Sequence, residues 1–84
     1  MSLTRFVGAL RILHSLDLAD LVEADVLPKY SDGNLNSGGV IGMFVEFRRD
    51  PLTWFIYANQ HQQERLWVLI ESRLSQEEAN VAQR

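Results

Sequence analysis

The stretch that decides the fold is Val40-Ile41-Gly42-Met43-Phe44-Val45-Glu46-Phe47-Arg48-Arg49-Asp50-Pro51-Leu52-Thr53-Trp54-Phe55-Ile56-Tyr57-Ala58. It reads in two ways. As helix, Val40 to Arg49 forms a short apolar segment, and Asp50-Pro51 restarts the chain. Aspartate accepts from the orphan N–H groups of a first turn, and proline at the first helical position loses no hydrogen bond. A long helix then runs to about Leu74. On its wheel, Leu52, Phe55, Ile56, Leu66, Leu69, Ile70 and Leu74 share one broad face. Asn59, Gln62 and Gln63 fall on that same face and interrupt it.

As sheet, 40–47 and 52–58 form a hairpin turning through 48–51. Aromatic and β-branched residues are dense there, and Thr53, Tyr57 and Asn59 alternate with Leu52, Trp54 and Ile56. A helix would then start near Asn59, which removes the polar interruption. We adopt the helical reading: an all-α fold, a small bundle of three to five helices with a Gly/Asn-rich loop at 29–39. The alternative is α+β, with the hairpin at 40–58 packed on helices.

Upstream, Lys29 to Gly39 is dense in turn formers and reads as a loop, with a turn near Asp32-Gly33. Before it, Leu3, Phe6, Val7, Leu10 and Leu13 recur at helical spacing, with Arg5 and Arg11 off that face. The phase slips at Asp17, and Leu18, Leu21 and Val22 start a new stripe. In one continuous helix the acids would lie at the C-terminal end, against the helix dipole. A restart at Ser15 to Asp17 makes Asp17 an N-cap and puts Leu16 and Leu21 at the staple positions. Pro28 closes this stretch, since the residue before a proline avoids helical angles. Downstream, Ser75-Gln76-Glu77-Glu78 has the capping-box pattern and could open a further turn or two. The division is a single domain over 1–74 and a short capping helix or frayed tail over 75–84.

Eighty-four residues suffice for one domain of modest stability, on the order of 5 kcal/mol. Residues of the hydrophobic set make up 46% of the chain, enough to favour a packed core over disorder. There is no cysteine, which excludes thiol, iron–sulfur and zinc-finger chemistry and favours a reducing, cytoplasmic setting. Arg5 and Arg11 interrupt the first apolar stretch, which is not the pattern of a signal peptide. No apolar run is long enough to span a membrane. The net charge is −3, with Lys29 and seven scattered arginines outnumbered by acids. Nucleic-acid binders draw affinity from clustered cations, so nucleic acid is an unfavoured partner.

Chemistry-bearing patterns are few. Asp32-x-Asn34-x-Asn36 spaces oxygens as calcium loops do, but Ser37 and Met43 stand where the loop needs glycine and a bidentate glutamate. It reads as an Asx-rich turn. Gly33, Gly38, Gly39 and Gly42 lack the Lys-Ser/Thr of a phosphate loop. The spacing Gly39 to Gly42 matches a GXXG, which is weak as a nucleic-acid signal by itself. His14 and His61 have no ligand partner at helical spacing and no serine and acid arranged for nucleophilic catalysis. No cofactor, metal or catalytic residue is assigned, and the chain reads as a non-enzyme.

What remains is surface. Asp17, Asp20 and Glu23 form an acidic stripe that reads as a solvated face or a dock for a basic partner. Arg48 and Arg49, near Phe47 and Trp54, cap the C-terminal end of the Val40 helix or grip a phosphate. Trp54 and Tyr57 lie opposite Leu52, Ile56 and Ile70, and Trp67 lies at the edge of the apolar face. A helix apolar on two sides needs two partners, and Trp and Tyr dominate interface hot spots. The binding residues expected are therefore Trp54, Tyr57, Trp67, Arg48, Arg49, Asp17, Asp20 and Glu23. The function expected is a protein–protein interaction module: an adaptor, regulator, inhibitor or assembly subunit, and a homo-oligomer. The alternative is a nucleic-acid-associated regulator using Arg48, Arg49, Arg65 and Arg73 with Trp54 or Trp67.

Overall fold

The computed structural model describes residues 2–28 and 37–82. Among them are five helices and no strand: α1 Leu3–Ser15, α2 Leu18–Glu23, α3 Ser37–Arg49, α4 Pro51–Tyr57 and α5 Gln60–Ala82. The fold is an all-α bundle, and the hairpin alternative is excluded. Asp32, Asn34 and most of the loop expected at 29–39 lie outside the described residues. Helix α3 already begins at Ser37, so the helical run opens before Val40.

The break after α1 falls where the phase slip puts it. Leu16 is extended, and Asp17 caps α2 by accepting from the Asp20 N–H, while Asp20 accepts from the Asp17 N–H in return. Leu16 and Leu21 are both fully buried. The end of α2 corrects the reading of Pro28. The helix stops at Glu23, well before the proline. The Val26 N–H reaches the Leu21 carbonyl and the Asp25 N–H the Val22 carbonyl. Asp25 holds a φ of 60°. This is a Schellman stop with aspartate in the left-handed position usually taken by glycine.

Asp50 and Pro51 start α4 as the sequence indicates, with Asp50 accepting from the Thr53 N–H. The long helix to Leu74 does not form in one piece. It breaks at Ala58 and Asn59, and the polar residues that spoiled its apolar face make the break. Asn59 and Gln62 cap each other reciprocally at 2.8 and 2.9 Å. The Gln63 amide donates to the carbonyls of Phe55 and Ile56 at the end of α4. The helical start near Asn59, reasoned for the hairpin, thus belongs to the all-α fold. At the other end, Ser75 opens nothing: α5 runs through it to Ala82. Within a continuous helix the N–H groups are already bonded, so a capping side chain has no orphan donor to satisfy.

Helix α5 is about 35 Å long at the usual rise and forms the spine. Helix α1 lies along it, α4 packs on both, and α3 packs on α4. The core comprises Ile12, Leu13, Leu16, Leu21, Phe47, Leu66, Ile70 and Leu74. Gly8 lets α1 approach α5, since a Cβ there would lie 2.9 Å from Leu74 Cδ1. The molecule is elongated, 47 × 24 × 22 Å.

Candidate interaction surface

The apolar stripe of α1 meets its core face fully only at Leu13. Ala9, Ile12 and Leu13 are buried, while Leu3, Phe6 and Val7 are exposed at 77, 49 and 55%. Helix α1 is apolar around more than half its circumference, and α5 can cover only one side. Ion pairs flank the covered side. Arg5 points to α5, where it pairs with Glu71 at 2.9 Å and Glu78 at 3.2 Å, and Arg11 pairs with Glu77. The arginines read as lying off the packed face therefore border it.

The same holds for α4. Leu52 and Ile56, assigned to the apolar face of a long helix, are exposed at 41 and 59%. Trp54, from the opposite side, is half-buried. Its ring meets the edge of fully buried Phe47, centroids 6.0 Å apart and planes at 67°. Breaking the helix at Ala58 frees α4 from the register of α5, so Trp54 faces α3.

The aromatic residues expected to act together are divided between two faces. Trp54 and Tyr57 line an open cleft of about 320 Å³ with Val26, Thr53, Ala58 and Gln62. Among the described residues Tyr57 is the most exposed large hydrophobic side chain, at 85%. Trp67 lies instead in a second groove, of about 160 Å³, between α1, α4 and α5. Its walls are Phe6, Leu10 and Leu52, its floor Phe55, Trp67 and Ile70, and its exposed lining carries no polar atom. Leu3 and Val7 on α1 and Ile56 on α4 are exposed as well. This groove was not legible as a site in the sequence. The available signal was the excess width of the apolar arc on α1.

The acidic stripe is taken up by the fold. Asp17 is the cap. Asp20 is buried, and Arg73 grips both its oxygens, at 2.6 and 2.8 Å. The guanidinium, aided by the Asp17 N–H, holds the Asp20 carboxyl below the usual carboxylate range despite its burial. Arg73 is raised in turn, chiefly by Asp20. Glu23 is exposed, and its backbone carbonyl accepts from Arg65 at 2.8 Å. Arg65 and Arg73, enlisted for nucleic acid, thus both bind α2.

Arg48 and Arg49 are exposed in the last turn of α3, where the dipole favours cations. Arg48 lies over the Phe44 ring at 5.7 Å. Neither makes an ion pair among the described residues. His61 Nε2 meets Asp25 Oδ2 at 2.8 Å, and the Gln62 amide donates to the Asp25 carbonyl, fixing α2's end to α5's start. His14 is exposed on α1. Among the described residues no cluster of His, Asp or Glu could hold a metal, and no helix is long and apolar enough to cross a membrane. No family model, curated protein or solved structure matches the chain.

Proposed function

We propose that this chain is a non-enzymatic protein–protein interaction module, an adaptor, regulator, inhibitor or assembly subunit, working through an apolar aromatic surface. One observation carries the reading: the exposed Phe6 and Leu52 line one groove together with Phe55 and Trp67, and the same two helices, α1 and α4, expose further apolar side chains at Leu3, Val7 and Ile56. Scattered apolar side chains are normal on a surface, but a joined set around a concave centre marks a contact site. The Trp54–Tyr57 cleft is a second, more polar face of the same helix. The lack of cysteine supports a cytoplasmic setting.

The test is capture from native lysate with the tagged chain, with and without nuclease. A stoichiometric partner retained after nuclease and lost in Leu52→Glu, but not in Glu23→Lys, supports the reading. Recovery of nucleic acid, or partners lost on nuclease treatment, would move the case to Arg48 and Arg49. That alternative has less behind it, since Arg65 and Arg73 are engaged with α2.

A further inference from the structure

We propose that the outer face of α3 docks an acidic amphipathic helix of another protein, whose carboxylates pair with Arg48 and Arg49 while its apolar side chains cover Ile41 and Val45. This face is separate from the groove between α1, α4 and α5, which no residue of α3 lines.

The face follows from the helical repeat. Val40, Met43 and Phe47 fall on one side of α3. Val40 and Phe47 are buried, and Met43 packs on the core. Ile41, Val45, Arg48 and Arg49 fall on the opposite side, within an arc of about 100°. Ile41 and Val45 are 52 and 47% exposed, and both arginines are exposed. Gly42 borders the same arc with nothing within 4 Å of a Cβ position, so the backbone there is open to close approach. A helix covered on one side ordinarily carries polar residues on the other. Helix α3 instead carries β-branched apolar residues there and ends the row in cations.

Charge names the partner. The other arginines of the described residues are spent within the chain. Glutamates of α5 hold Arg5 and Arg11, the Glu23 carbonyl holds Arg65, and Asp20 holds Arg73. Arg48 and Arg49 have no hydrogen-bond or ion-pair partner among the described residues, in a chain whose net charge is −3. Glu46, at the border of the face, pairs with neither. The dipole of α3 favours cations at this end, but it does not account for the apolar row that they close. Arg48 lies over the Phe44 ring at 5.7 Å, which restricts its side chain in advance and lowers the ordering cost of a carboxylate bond. An apolar row ending in cations is complementary to an apolar helix face flanked by carboxylates. A nucleic-acid backbone fits less well. It offers Ile41 and Val45 no apolar cover, and Arg65 and Arg73 are not available to extend the basic pair into a strip.

The experiment is a titration of the ¹⁵N-labelled full chain, followed by amide resonances. The probe is a synthetic peptide of about 15 residues, long enough for a marginal helix, with leucine at helical spacing and glutamate between. The largest shifts are expected in α3 from Ile41 to Arg49, with a Kd below about 1 mM. The double variant Arg48→Gln, Arg49→Gln and the single variant Val45→Asp are each expected to weaken binding about tenfold. They alter exposed side chains, so the helix content read by circular dichroism should not change. Phe6→Glu, in the other groove, should leave binding unchanged, which keeps a failure here distinct from a failure of the groove. A peptide with glutamine for glutamate should bind about tenfold more weakly. No shift in α3 at about 1 mM peptide overturns the proposal, as does equal binding of the neutral peptide. It is also overturned if a single-stranded oligonucleotide moves the same amides at lower concentration than the peptide does. Movement of those amides on dilution of the chain alone would give the face to a second copy and overturn it too.

Discussion

Arg73 of α5 reaches across to α2 and grips both carboxylate oxygens of Asp20, at 2.6 and 2.8 Å, while Asp20 also accepts from the backbone N–H of Asp17. One buried carboxylate thus closes a helix cap and ties a six-residue helix to the spine of the bundle. A helix that short is not stable alone. Its position depends on this clasp and on the burial of Leu16 and Leu21.

The clasp makes stability depend on acid. Asp20 titrates below its ordinary value of 3.8 in the folded chain, so the unfolded chain binds more protons between the two values. The contribution is complete above that ordinary value and is lost as pH falls through the lower folded one. Denaturant midpoints measured from neutral pH downward should fall below about pH 4. Asp20→Asn should lower the neutral plateau and flatten that acid limb. Asp20→Ala should cost about 2 kcal/mol at neutral pH, from the lost cap and charge-assisted bonds. An unchanged acid limb in Asp20→Asn would count against the clasp.

Gly42 and Gly8, each inside a helix, should respond to alanine in opposite senses. Gly42 has nothing within 4 Å of its missing Cβ, so Gly42→Ala should stabilise α3 by about 0.5–1 kcal/mol. Gly8→Ala gains the same propensity but puts a methyl 2.9 Å from Cδ1 of the buried Leu74, so that side chain must shift to admit it. Overpacking costs about 1–3 kcal/mol, so the net effect should be destabilising. Thermal midpoints of the two variants decide the point. A stabilised Gly8→Ala would mean that α1 and α5 are not this close.

The break between α4 and α5 is held by named side chains. Asn59→Ala removes the cap of α5 and its exchange with Gln62 and should cost about 1 kcal/mol. Gln63→Leu should also destabilise, because the carbonyls of Phe55 and Ile56 lose their donor. Chemical denaturation of the single and double variants measures both. No loss in either would mean that α4 and α5 form one helix in solution.

Trp54 and Tyr57 separate a packing role from a surface role. Trp54→Ala removes the edge contact with fully buried Phe47 and should cost about 2–3 kcal/mol. Tyr57→Ala touches a side chain that is 85% exposed and should stay within about 0.5 kcal/mol. Equal losses in the two would refute the different environments described for them.

Much of the fold was legible from local rules. The N-caps at Asp17 and Asp50, the proline start at Pro51 and the slip after Ser15 each act within one turn of backbone. Their partners lie three residues away, so sequence contains the whole interaction. Local signals misled where a neighbour had already met the need. Ser75 carries a capping pattern, but the helix upstream left no donor to cap. Pro28 can stop a helix, but the turn at Asp25 had stopped it first. Asn59, Gln62 and Gln63 looked like a flaw in an apolar face until the face proved to belong to two helices.

The chain by itself determined that it is helical, where most of its helices begin and that it carries more apolar surface than a small bundle needs. Periodicity and capping are properties of consecutive residues, and they survive without knowledge of the partner. Only the tertiary structure decided which apolar arc of α1 entered the core, because Ala9, Ile12 and Leu13 compete with Leu3, Phe6 and Val7 on the same helix. Beside the buried arc, Arg5 and Arg11 meet Glu71, Glu77 and Glu78, residues more than sixty positions away. The fate of Asp20 was settled the same way. A stripe of acids shows its spacing in the sequence, but the cation that covers one of them is brought to it only by the packing of α2 on α5.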